Sequence, residues 1–327
     1  MTSQIKRGVS LYSFQEDYYE GRRTLEQCIA AVAEIGATGI ETIAEQMMPG
    51  FPNLTDAFYS EFGGWMQKYG TVSVAHDLFL DTKKYKNRLL SHEEMVESVK
   101  RDITHTRKLG ATSIRVIVNT PPEVVEAAAP FARDNGVKLG VEIHAPFHFD
   151  HEHIEKHMEV ASRVGFDVVG CVPDMGIYVE KFPRIVTERA IRDGGDEKTI
   201  RDLAKNYDDG GDTIAFFEKV QASGANQVTV NFARQCTHYI NSDVKKLTEW
   251  SDAIIHIHGK FYEMLPSGEE YSIPYAKIIN ALNAGGYAGY INSEYEGNRH
   301  IQDIVAVDSY GQVKLHQDML KRLIESN

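Results

Sequence analysis

Cysteine is scarce in this chain: Cys28, Cys171 and Cys236 are three among 327 residues, scattered and odd in number. A disulfide framework is therefore excluded, and a reducing compartment is expected. Basic charge is also in short supply, with 35 Lys and Arg against 47 Asp and Glu and a formal charge of −12. Nucleic acid, which needs a basic stripe, is excluded as a partner. No run approaches the roughly 18 apolar residues of a membrane span. The opening stretch MTSQIKRGVSLYSF lacks the apolar core of an export signal. A cytoplasmic protein is expected, with no membrane and no nucleic-acid partner. What remains, 42% hydrophobic and 25% charged, is a globular composition. It has the length for one large α/β barrel.

Eight apolar, strand-like segments alternate with longer helical patterns. They are GVSLYSF (8–14), GIETI (39–43), VSVAHD (72–77), SIRVIV (113–118), KLGVEIH (138–144), VVGCVPD (168–174), AIIHIH (253–258) and GYINSEY (289–295). Strand then helix, eight times over, predicts an α/β fold: a (β/α)₈ TIM barrel. The helices carry start and stop signals. Thr24 with Gln27, and Ser91 with Glu94, have capping-box spacing, and the helices they open stop at Gly36 and Gly110. EIGATGIE (34–41) is echoed by KLGATSIR (108–115) and loosely by NAGGYAGYI (283–291), a repeated helix-to-strand corner. One interval is too long for a single helix: a long insertion after strand six, about 178–240. It would rise from the face that carries the site in such barrels, as a lid, a specificity wall or a docking surface. A single domain over 1–327 is expected.

Four of the strand-like runs end in metal-binding residues: Glu142 and His144, Asp174, His256 and His258, and Glu294 with Glu296. Ligand sites in parallel barrels lie at the strands' C-terminal ends. Glu142, Asp174, His258 and Glu294 on strands five to eight would offer three carboxylates and an imidazole. That set suits an open site for Mn²⁺ first, then Mg²⁺, Co²⁺ or Zn²⁺. His256 points the same way and is the rival to His258, which is favoured as nearer the mouth.

These endings resemble the xylose-isomerase-like barrels, whose marks are VEIH on strand five, VPD on strand six, His258-Gly259-Lys260 on strand seven and SEYEGNR on strand eight. The resemblance implies that Glu142, Asp174, His258 and Glu294 are the metal ligands. GVSLYSFQEDYY, EQMMPGFPNLTDAF, VEIHAPFH, VPDMGIY, HIHGKFYEM and SEYEGNRHIQD further resemble the α subunits of bacterial C-glycoside deglycosidases. That implies cleavage of the carbon–carbon bond between a 3-oxo-sugar and an aromatic aglycone, beside a small β-sandwich β subunit in a hetero-oligomer. Epimerases of the family carry a histidine three residues after the strand-six aspartate, where this chain has Ile177.

A bound ion would acidify the C–H beside a sugar ketone, and a base is then needed. His144, two residues past Glu142, has the intrinsic pKa for that role and is the general base in the resembled deglycosidases. The alternative is a sugar or inositol isomerase, epimerase or dehydratase, with Glu142 and Glu294 as acid and base. A non-catalytic subunit would need no metal at all. Further candidates for substrate contact are His76, His148, Lys260, Arg299 and Tyr12, the last with Gln46, Phe79 and Phe147 as an aromatic-polar rim. Most of His148, His151, His153 and His157 are expected to be exposed on the helix after strand five.

Overall fold

All eight expected strands form in the computed structural model, which describes residues 3–326. They are β1 (Lys6–Ser10), β2 (Gly39–Thr42), β3 (Val72–Leu78), β4 (Ser113–Val116), β5 (Lys138–Ile143), β6 (Val169–Pro173), β7 (Ile257–Phe261) and β8 (Tyr290–Tyr295). Every ladder between consecutive strands is parallel, and β1 pairs with β8, in the order β6-β5-β4-β3-β2-β1-β8-β7. Between β6 and β7 no continuous ladder forms among the described residues, and the seam is held at isolated points. It is drawn together by the bridges Cys171 to Ile254 and Asp174 to His258, and by Ile255 N–H donating to Cys171 O at 3.0 Å. The result is a nearly closed TIM barrel.

Two strands depart from expectation. The LYSF of the first segment turns into a 3₁₀ helix, Leu11–Phe14. The seventh strand starts at Ile257, because its ladder begins where β8 supplies Ile291 as partner. Before that point Ser251–Ala253 is a 3₁₀ turn laid against β6. Ala253 O packs so closely there that a Cβ on Gly170 would meet it at 2.2 Å. His258 is thus the second residue of its strand, and Lys260 lies inside the strand.

The helix corners follow their local chemistry. Both capping boxes, Thr24 with Gln27 and Ser91 with Glu94, are made reciprocally. Gly36 and Gly110 sit at φ 79° and 76°, and the next N–H reaches back five residues, Ala37 to Val32 O and Ala111 to Thr106 O. Only glycine takes that left-handed turn without strain.

Between β6 and β7 the chain builds helices Arg184–Arg192, Glu197–Asp208, Thr213–Ala222 and Gln227–Cys236. They enclose an apolar cluster of their own, including Phe182, Ile200, Leu203, Phe232 and Cys236. Phe182 is 2% exposed, with the rings of Phe232 and Tyr239 at 5.2 and 4.6 Å. Burying such a side chain contributes roughly 1.5–3 kcal/mol. Lengthening a loop adds only about 0.6 kcal/mol of closure entropy per doubling, so closing the ends of so long an excursion costs little beside packing of this kind. Helix Arg184–Arg192 is also strapped to the barrel's loops. Arg184 pairs with Glu263 after β7 at 2.6 Å, and Arg192 with Asp303 after β8 at 2.8 Å.

Candidate metal centre

Side chains alternate across a strand, so residues two apart share a face. That places His258 and Lys260 of β7, with His256 just before the strand, inside the barrel, rising toward its mouth. Asn292 and Glu294 do the same on β8, and Glu142 on β5. Ligating atoms of Glu142, Asp174, His258 and Glu294 all lie within 4.8 Å of one another, and all four residues are buried. His258 Nδ1 is 2.9 Å from Glu142 Oε1 and 3.5 Å from Glu294 Oε1. Asp174, immediately after β6, accepts Gly176 N–H at 2.6 Å through Oδ1, while its Oδ2 faces Lys260 Nζ at 2.6 Å. The four side chains expected to meet are together.

This interior is strongly acidic. Glu41, Asp77, Glu142, Asp174 and Glu294 are buried, with Glu296 close by, against the permanent cations Arg115 and Lys260. Burial pushes the Glu294 carboxyl up to about 8; His258 and Lys260 resist this, while Asp174 and Glu142 add to it. Glu142 moves the other way, since Arg115 and His258 overcome its burial and hold it below the usual carboxylate range. For His258, burial is outweighed by Glu41 and Glu294, and its imidazole is held well above the ordinary value. Glu294 Oε2 is buried without a hydrogen bond. Three converging carboxylates, an imidazole nitrogen and an unpaired carboxylate oxygen fit a divalent cation, which would supply the positive charge that this set lacks.

His144 stands at the rim, its side chain 42% exposed, with Nε2 3.8 Å from Asp174 Oδ2. Its Nδ1 lies 2.5 Å from Ala145 O. A carbonyl only accepts, so Nδ1 is the donor in this contact and Nε2 is the ring nitrogen that faces the site. A cavity of about 330 Å³ opens beside it, lined by His144, Lys260, Glu296 and Arg299 from the barrel and by His238 and Tyr239 from the excursion after β6. The excursion thus supplies one wall of the mouth.

The remaining candidates divide. Lys260 is buried, 3.7 Å from Glu294 and 3.8 Å from Glu296. Arg299 lies over the Tyr12 ring at 5.3 Å and 3.7 Å from Glu296. His76 does not join them. It faces outward against helix His92–Lys108, its ring 4.7 Å from that of His105 and its Nε2 3.8 Å from Asp102. The next residue, Asp77, is the one that turns inward, pairing with Arg115 at 3.0 Å. His148 sits in the loop after β5 with its ring 6.0 Å from that of His151. His151 and His153 are half-buried and His157 is buried, contrary to the expected exposure. His153 donates to Val118 O, and His157 stacks edge-on against it within the layer between helix and barrel.

Sequence reasoning passed over Glu41, Asp77, Arg115 and Asn292. Glu41 and Arg115 each stand between apolar or β-branched neighbours in mid-strand, which is a usable signal: a charge there must face a polar interior.

Residues 29–323 match the model of a family described as xylose isomerase-like TIM barrel. The α subunit of a C-glycoside deglycosidase from Arthrobacter globiformis is 29% identical over 309 residues, covering 89% of this chain and 84% of that protein. The α subunit of 3'-dehydrocarminate deglycosidase from a Microbacterium species is 27% identical over 312 residues, covering 89% and 88%. A solved structure of L-ribulose 3-epimerase is similar in fold, with a TM-score of 0.58 at 14% identity over 98% of this chain and 95% of that one.

Proposed function

Because this chain belongs to the xylose isomerase-like TIM barrel family, we propose that it is the metal-dependent catalytic subunit of a C-glycoside deglycosidase, a carbon–carbon lyase acting on 3-oxo-C-glycosides. The convergence of Glu142, Asp174, His258 and Glu294 carries this reading, and the names of the relatives direct it to this substrate class. Those four residues would hold a divalent ion, Mn²⁺ first, which when bound supplies Lewis acidity toward the sugar ketone and its neighbouring hydroxyl.

His144 performs the proton step. Its Nε2 lone pair takes the proton from sugar C2, beside the C3 ketone. The C2–H electrons form the C1–C2 double bond, the C1–aryl bond breaks, and the aglycone carbon leaves with the two electrons of that C1–aryl bond and takes up a proton. Tyr239 and Tyr262, 5.9 Å apart with their rings tilted by 54°, give the cavity an aromatic wall against which an aromatic aglycone can pack. Lys260, close to Asp174 and Glu294, offsets negative charge in the pocket before the ion and substrate enter. The partner is a small β-sandwich β subunit, in line with the relatives' names as α subunits. Among the described residues no helix is long and apolar enough to cross a membrane. We place the reaction in the cytoplasm.

The test is incubation of the chain with Mn²⁺ and a 3-oxo-C-glucoside, with and without the β subunit, following aglycone release. Turnover of free ketoses in place of aglycone release would instead support the isomerase or epimerase reading with Glu142 and Glu294 as acid and base. Metal uptake has a pH signature. A proton on Glu294, whose carboxyl is raised to about 8, must leave before that group can ligate. The His258 imidazole, also held above its ordinary value, must likewise give up its Nδ1 proton before it can ligate. Apparent Mn²⁺ affinity therefore rises with pH through about 8 and falls as pH drops below it, by about tenfold per unit for each proton displaced. Titration calorimetry at several pH values measures this, and a flat profile would show that neither Glu294 nor His258 holds a proton in the metal-free protein.

A further inference from the structure

We infer that Glu41, on β2 and outside the four ligating residues, is a positioning residue that holds the His258 imidazole with Nδ1 facing the metal ligands; this rests on the metal reading above. Glu41 is fully buried, on the far side of His258 from Glu142. Its Oε1 receives His258 Nε2 at 3.0 Å and His256 Nε2 at 2.7 Å, and its Oε2 accepts the Asn292 amide at 3.0 Å. The two nitrogens of His258 therefore face opposite carboxylates, Nε2 toward Glu41 and Nδ1 toward Glu142 at 2.9 Å. A ring held at Nε2 presents only Nδ1 to a cation. This is the arrangement by which a carboxylate behind a ligating histidine sets its tautomer, direction and basicity.

Two backbone features support a built acceptor. The β2–β3 register shifts between Ile40 and Glu41, a local irregularity of the sort that re-aims a side chain. On β1, the strand between β2 and β8, Gly8 leaves the room that Asn292 occupies, since a Cβ there would lie 2.1 Å from Asn292 Oδ1. Glu41, His256 and His258 are themselves close enough to ligate a second ion. The hydrogen-bonded arrangement accounts for the three without one: both imidazole N–H groups donate to a single oxygen. A cation there would have to displace both bonds, and His258 would have to bind metal through both nitrogens at once.

The experiment is Mn²⁺ binding to the full chain by chelator competition, with metal counted by elemental analysis and the visible spectrum of Co²⁺-loaded protein recorded in parallel. Wild type should hold one ion. Glu41→Gln should bind Mn²⁺ roughly 10–100-fold more weakly with an altered Co²⁺ spectrum, and Glu41→Asp, which keeps the carboxylate, should recover part of the loss. A purely structural role would lower the melting temperature and leave the affinity and spectrum of the folded fraction unchanged. Wild-type affinity and spectrum in Glu41→Gln would overturn the inference while leaving the metal reading intact. No ion in wild type would sink both. Two ions in wild type, one of them lost in Glu41→Gln, would also overturn it, by making Glu41 a ligand. Should Glu41→Gln not fold, Asn292→Ala removes the other anchor of Glu41, and an affinity unchanged in that variant would count against the positioning role.

Discussion

Asp174→Asn is expected to abolish both metal retention and turnover, with activity down about 10³-fold or more. The substitution is nearly isosteric, and the amide oxygen can still accept the Gly176 N–H that Asp174 receives at 2.6 Å. The turn after β6 should therefore persist. What is lost is the charge facing Lys260 at 2.6 Å and one of three carboxylates that would neutralise a divalent ion. The amide also brings a donor where the site needs an acceptor. Glu142→Gln should behave alike, its carboxylate lying beside both His258 and Arg115. Elemental analysis after dialysis, read beside aglycone release, decides the matter. Stoichiometric metal and normal turnover in the folded Asp174→Asn protein would remove the basis for the metal centre.

His144→Ala should separate chemistry from binding: turnover falls about 10²–10⁴-fold while metal content stays at the wild-type level. The geometry predicts this split because His144 is outside the group of four and touches it only at 3.8 Å, at Asp174. Its exposed position at the cavity lets a substrate C–H approach Nε2, whereas the buried His256 and His258 are committed to Glu41. His144→Gln keeps a hydrogen-bond acceptor of similar reach but no nitrogen basic enough to take a proton, and should be equally inactive. Full turnover in either variant would move the base role to a carboxylate such as Glu296, which lines the same cavity.

Much of this molecule was legible before folding. Runs such as KLGVEIH and VVGCVPD are apolar enough to be buried on both faces, so they announce parallel strands, and the residues that end them fall where a barrel keeps its mouth. Capping boxes at Thr24 and Ser91 act within one turn of chain, and the structure makes both as spaced. Prediction failed where facing mattered. His76 and Asp77 are adjacent, so only one of them can look inward, and nothing local says which. His153 and His157 look like surface residues by type, yet one caps a carbonyl from the loop after β4 and the other fills space beside it.

Alternation of apolar runs with helical periods, being a short-range property, determined by itself that this chain forms an eight-stranded barrel with acidic residues and histidines near strand ends. Only the tertiary structure decided which of them meet. Barrel closure and the stagger between neighbouring strands set the height and facing of each side chain. Those depend on pairings between segments far apart in the chain, such as Ile257 with Ile291 and Glu41 with Ala75. That is why Glu41 ends behind His258 while His76 ends outside the barrel.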